Sequence, residues 1–141
     1  MTTNKTIERL GYAGLIPFVF LAALMWLVDA GLLPFVSTVL VGYAATIVSF
    51  LGGVHWGVGF VRGGTAPRAY FLWGVVPSLL AWLGLLMSAQ AALPFLALVV
   101  VICYLVDRKL YAQAGLSAWL PMRLRLTVVA GISCLLGAAA I

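Results

Sequence analysis

Apolar residues run along this chain in five long stretches, and the charged residues lie in or beside the gaps between them. The stretches are Leu10 to Val28, Phe35 to Val61, Ala69 to Met87, Ala91 to Val106 and Leu126 to Ile141. Crossing about 30 Å of hydrocarbon takes about 20 helical residues at 1.5 Å each. The first three stretches meet that length, and interfacial residues can extend the last two. Helix is the conformation that satisfies every backbone group within one segment in lipid. The pattern therefore predicts one all-α integral membrane domain over residues 1–141, a bundle of five transmembrane helices.

Composition removes the soluble alternative. Hydrophobic residues make up 65% of the 141 and charged residues 8%, against about 45–50% and about 25% in globular domains. The net charge is +5, but the cations are too few and too scattered for a nucleic-acid face. Their placement reports orientation. Lys5 and Arg9 precede the first span, Arg62 and Arg68 flank the second loop, and Arg108, Lys109, Arg123 and Arg125 occupy the fourth. The first and third loops have no Lys or Arg. Five spans put all eight cations on one side, which the positive-inside rule makes cytoplasmic. The N-terminus is then cytoplasmic and the C-terminus outside.

Helix punctuation fits this plan. Pro34 and Pro94 stand at the expected starts of the second and fourth spans, and Gly115 can cap a polar extension of the fourth. Aromatics mark the interfaces, with Tyr12, Tyr70, Trp73, Tyr104 and Tyr111 inside and Trp26 and Tyr43 outside. The first span is too long for a signal-peptide core of about 7–15 residues. Gly14-Leu-Ile-Pro-Phe18 and Gly31-Leu-Leu-Pro-Phe35 look alike, but one lies within a span and the other at a span start, so duplication is not inferred.

Four small residues, Ala45, Ser49, Gly53 and Gly57, recur every four positions in the second span. That spacing allows close helix approach, either to a neighbouring span or to a second copy of the chain. His55, the sole histidine, lies about 10 Å inside the end marked by Arg62. An intramembrane ionisable group needs partners. At a similar depth stand Pro17, Pro77, Ser78 and Ser133, and Pro77 frees the Trp73 carbonyl as an acceptor. His55 can thus tie two helices together through Ser78 or that carbonyl. Alternatively, His55, Trp56, Trp73, Ser78 and Ser133 line a pocket for a quinone-like head group or a proton.

The cytoplasmic rim gathers Arg62, Arg68, Arg108, Lys109, Arg123 and Arg125 around Asp107. This predicts an ion pair between Asp107 and a nearby arginine, and alternatively a site for anionic lipid such as cardiolipin. Trp119, in the amphipathic stretch before the fifth span, is expected on the lipid surface. Cys103 and Cys134 read as buried thiols, neither a disulfide nor a metal site. One histidine does not make a bis-ligated haem site. No catalytic signature is present and the three acids lie near membrane edges, so no catalytic residue, metal or cofactor is assigned.

The runs Leu10-Gly-Tyr-Ala-Gly-Leu-Ile-Pro-Phe18, Ser49-Phe-Leu-Gly-Gly-Val-His-Trp-Gly57, Val76-Pro-Ser-Leu-Leu-Ala-Trp82 and Arg123-Leu-Arg-Leu-Thr127 resemble a family of small polytopic membrane proteins known as a domain of unknown function. Its relatives include a mitochondrial inner-membrane protein. The resemblance covers nearly the whole chain and implies the bacterial cytoplasmic (inner) membrane. In the family the position after Trp119 tends to be aromatic, where this chain has Leu120. Some mitochondrial members carry arginine at the place of His55, which favours a fixed cation or a packing role there.

The leading expectation is a non-enzymatic membrane protein that associates with membrane lipids and with other membrane proteins or itself, as in assembly of respiratory complexes. The alternatives are a quinone- or lipid-binding protein and a proton-coupled transporter acting as a dimer.

Overall fold

The computed structural model describes residues 3–141. Six α-helices follow one another: α1 Thr3–Ala13, α2 Ile16–Leu27, α3 Leu33–Arg62, α4 Arg68–Leu85, α5 Ala89–Gln113 and α6 Leu120–Ala139. Short 3₁₀ turns at Gly63–Thr65 and Ser117–Trp119 join α3 to α4 and α5 to α6. Five segments are long and apolar enough to span a membrane, as the hydropathy pattern predicts. The first is built from two helices, because α1 and α2 run nearly end to end.

The break between α1 and α2 has a local cause. Pro17 lacks the N–H that would bond the Ala13 carbonyl, so the chain turns at Gly14 and Leu15 and restarts with proline near the first helical position. Gly14 N–H bonds the Leu10 and Gly11 carbonyls, and the Gly14 carbonyl accepts from the Tyr43 hydroxyl at 2.6 Å. Tyr43 therefore stands half-buried inside the bundle rather than in an outer aromatic belt. Leu33–Pro34 opens α3 in the same way. The two Gly-Leu-x-Pro-Phe segments are thus both helix starts.

Two boundaries differ from the sequence expectation. Helix α5 begins at Ala89, so Pro94 lies inside it rather than at its start. Ala89 to Leu93 are good helix formers that carry the helix ahead of the proline. At the other end α5 continues to Gln113, and α6 already begins at Leu120. The polar stretches 107–113 and 120–125 are turns of transmembrane helix. Gly115, at φ +76°, ends α5. The N–H of Leu116 bonds the Tyr111 carbonyl at 2.8 Å and that of Gly115 bonds Ala112 at 3.3 Å, the paired closure that a left-handed glycine permits.

The most extensive helix contact is between α3 and α4, and α5 lies against α6, α3 and α4. Glycines set the α3–α4 approach. A Cβ on Gly52 would stand 2.4 Å from the Gly74 carbonyl oxygen, and one on Gly59 would stand 2.4 Å from the Phe71 ring. A Cβ on Gly74 would meet Trp56, whose indole N–H donates to the Phe71 carbonyl at 3.0 Å. Gly53 and Gly57, expected to pack, are exposed, and a Cβ on either would meet nothing within 4 Å. The glycines packed against α4, Gly52 and Gly59, lie on the other side of α3, beside His55. Gly42, Thr46, Gly53 and Gly57 line the outward edge of the same helix.

Candidate functional site

The buried side of α3 presents His55, 2% exposed, to a similar level of α5. Asp107 lies six residues before the end of α5 and His55 seven before the end of α3, so both sit about 9–10 Å inside the charged end. The apolar face of α5 runs through Leu96, Val100, Cys103 and Asp107 at intervals of three and four, which carries the carboxylate into the core at 1% exposure. On α6, Arg123 and Thr127 share one face a turn apart, and both are buried.

These residues meet. Asp107 uses both oxygens: Oδ1 accepts from His55 Nε2 at 2.6 Å, and Oδ2 accepts from Arg123 Nε at 3.1 Å. Arginine stays protonated in proteins, so Oδ2 faces a permanent cation. Arg123 Nη1 bonds the Thr127 hydroxyl, which in turn donates to the Arg123 carbonyl at 2.9 Å. Tyr70 stacks near His55 with ring centroids 6.3 Å apart, and Tyr111 meets it edge-on at 5.8 Å. The Tyr70 hydroxyl donates to the Leu110 carbonyl at 3.3 Å. The cluster ties α3, α4, α5 and α6 together. Nearer the charged end, Arg62 lies over the Tyr70 ring and donates to the Gln113 carbonyl at 2.9 Å, placing a cation on the negative end of α5.

The ion pair expected for Asp107 is present, with Arg123 as its partner. Its place differs: the pair is buried in the bundle, not solvated on the rim. Arg123 is 4% exposed and so leaves the group of surface cations. Arg68, Arg108, Lys109 and Arg125 remain exposed, and Arg62 is half-buried. The proposed partners of His55 are not the observed one. Ser78 is exposed, Trp56 is turned to the Phe71 carbonyl, and Ser133 is buried elsewhere on α6. Trp73 Nε1 is buried and, among the described residues, has no hydrogen-bond partner. Among the described residues, none of Trp56, Trp73, Ser78 and Ser133 is hydrogen-bonded to His55, whose partner is Asp107. The reason is the longer reach of α5, which brings a carboxylate to His55 that Ser78 cannot match.

A cavity of about 590 Å³ lies beside the cluster, between α1, α2, α3, α5 and α6. Ile7, Leu10, Leu116 and Trp119 line it at the charged end, and Phe18, Ile47, Val100 and Ala130 line it deeper in the bundle. Trp119 is half-buried in this wall, where the sequence placed it on the lipid surface. Among its polar lining residues are Tyr111, Arg123 and Thr127. Arg123 Nη2 is buried away from this space and has no hydrogen-bond partner among the described residues.

Comparison with known proteins bears on the whole chain. It is 44% identical over 84 residues to Transmembrane protein 69 of Xenopus tropicalis, covering 58% of this chain and 33% of that protein. The chain thus spans about a third of the length of the relative it matches. No solved structure matches it. Residues 3–139 match the family described as Protein of unknown function (DUF3429), and this multi-pass transmembrane chain belongs to that family.

Proposed function

We propose that this is a non-enzymatic protein of the bacterial cytoplasmic membrane that holds a hydrophobic molecule, a lipid or a quinone, in the cavity beside Arg123. The observation that carries this reading is a cavity of about 590 Å³ that is apolar along most of its wall and has Tyr111, Arg123 and Thr127 at one end. The volume falls within the roughly 300–1,000 Å³ of small-molecule sites. Asp107, fixed in turn by His55, holds the guanidinium in place. The basic residues cluster at the end that holds the N-terminus and the α3–α4 and α5–α6 turns, which supports a cytoplasmic N-terminus.

Native mass spectrometry of the protein released gently from membranes tests the reading. Wild-type protein is expected to carry a small molecule that Ala130→Phe, which fills the cavity away from the charge cluster, does not retain. Bare wild-type protein, or a bound mass unaffected by Ala130→Phe, would refute it.

A second reading has its own support. Gly42, Gly53 and Gly57 have open space where a Cβ would stand, along the outward edge of the longest helix. Such an edge suits close approach by another membrane protein or a second copy of this chain. Under this reading a Thr46→Cys variant cross-links in membranes, and adding Gly53→Leu and Gly57→Leu abolishes the product. Absence of any cross-linked product from Thr46→Cys alone counts against it.

A further inference from the structure

The class of molecule follows from the shape and charge of the cavity, and this inference rests on the ligand-binding reading above. Tyr111 and Val100 both line the space. They lie eleven residues apart on α5, or about 16 Å along the helix. Arg123 and Ala130 span about 10 Å of α6 in the same direction. Deeper than Arg123 the wall includes Leu15, Phe18, Ile47, Leu51, Val100 and Ala130. The space is a slot parallel to the helices, with charge at one end and a long apolar remainder. That form suits a chain with one polar end.

Charge selects among such chains. Arginine is a permanent cation, and Asp107 already divides its carboxylate between Arg123 and His55. Arg123, Tyr111 and Thr127 line this end of the slot. A guanidinium bonded to a neutral carbonyl is already charge-assisted, and a carboxylate or phosphate adds to that bond the attraction of opposite charges. The surroundings add to the preference. The same end of the bundle carries all eight Lys and Arg residues but only two acids, Glu8 and Asp107, and such a field raises the local concentration of anions.

We propose that the slot takes a single-chain anionic amphiphile, a fatty carboxylate or a single-chain phosphate lipid. Its head sits at the end of the slot lined by Arg123, Tyr111 and Thr127, and its chain runs along α5 toward Val100.

The test titrates the full chain in non-ionic detergent with four probes, read by native mass spectrometry. The probes are palmitate, palmitoyl lysophosphatidate, hexadecanol and decylubiquinone. At least one anionic probe is expected to bind about tenfold or more tighter than hexadecanol and decylubiquinone, as the added attraction of opposite charges implies. Which anion is favoured identifies the head group. Arg123→Gln should reduce the anion to the level of hexadecanol, and Ala130→Phe should remove binding of every probe. Should Arg123→Gln fail to fold, the wild-type comparison and Ala130→Phe still decide. If hexadecanol or decylubiquinone equals the anions while Ala130→Phe removes all four, the anionic class is overturned and the cavity reading stands. If no probe is retained, or Ala130→Phe changes nothing, both fall.

Discussion

His55 and Asp107, fifty-two positions apart in the chain, meet at 2.6 Å where neither is exposed by more than 2%. A charged group inside a membrane bundle is expensive unless paired, and this carboxylate is paired twice. The geometry makes Asp107 the residue on which the cation and the imidazole both depend.

Removing that carboxylate should therefore be severe. Asp107→Asn leaves Arg123 buried without a counter-charge, with an expected loss of about 3–5 kcal/mol. His55→Gln preserves the ion pair and should be milder, about 1–2 kcal/mol. Asp107→Leu combined with Arg123→Met, which removes both charges together, should recover most of the stability. Unfolding in mixed micelles by titration with a denaturing detergent measures all three. Equal effects of Asp107→Asn and His55→Gln would contradict the arrangement.

The glycines of α3 and α4 should divide into two classes. Gly52→Ala places a methyl against the Gly74 backbone oxygen, and Gly74→Ala places one against Trp56. Each should destabilise by about 1–3 kcal/mol through overpacking. Gly53→Ala and Gly57→Ala meet no neighbour within the chain and should stay within about 0.5 kcal/mol of wild type. Thermal unfolding of the four variants in one detergent separates the classes.

Tyr43→Phe removes the donor that satisfies the Gly14 carbonyl at the break between α1 and α2. The expected loss is about 1 kcal/mol. It should be accompanied by faster amide hydrogen exchange confined to residues around Gly14. Uniformly faster exchange across the bundle would instead assign Tyr43 a general packing role.

Thiol labelling tests the orientation. Cys103 and Cys134 are buried and free and should resist a membrane-impermeant maleimide, which gives a quiet background. Cysteine introduced at exposed Arg68 should label only after the membrane is opened, and at exposed Ser88 in intact cells. Labelling of both from the same side would overturn the alternating path of the helices.

The span count was legible because it depends on length, composition and the distribution of cations, all linear properties of the chain. The need of His55 for a partner was also legible, but the partner was not. Ending the fourth span at Val106 set Asp107 outside the hydrocarbon and left Ser78 and the Trp73 carbonyl as candidates. The signal lay in helical period rather than hydropathy: Leu96, Val100, Cys103, Asp107 and Tyr111 form one continuous face, and Arg123 and Thr127 form another. The small-residue ladder divides for a related reason, with Ala45 buried in the core and Gly53 and Gly57 facing outward. A four-residue interval is legible in sequence, but which edge of a helix meets a neighbour depends on the other helices, and here the edge through Gly52 and Gly59 prevailed. The cavity had no linear signal, since its walls come from separate helices.

The short separation of Asp107 and Arg123, sixteen positions across one turn, has a consequence for biogenesis. Inserted one at a time, α5 and α6 would each carry an isolated ion at a penalty of about 2.5–3.5 kcal/mol near the middle of a helix, less toward its end. Released together as a hairpin, they neutralise each other before α3 supplies its imidazole, so the last two crossings favour joint exit from the translocation machinery.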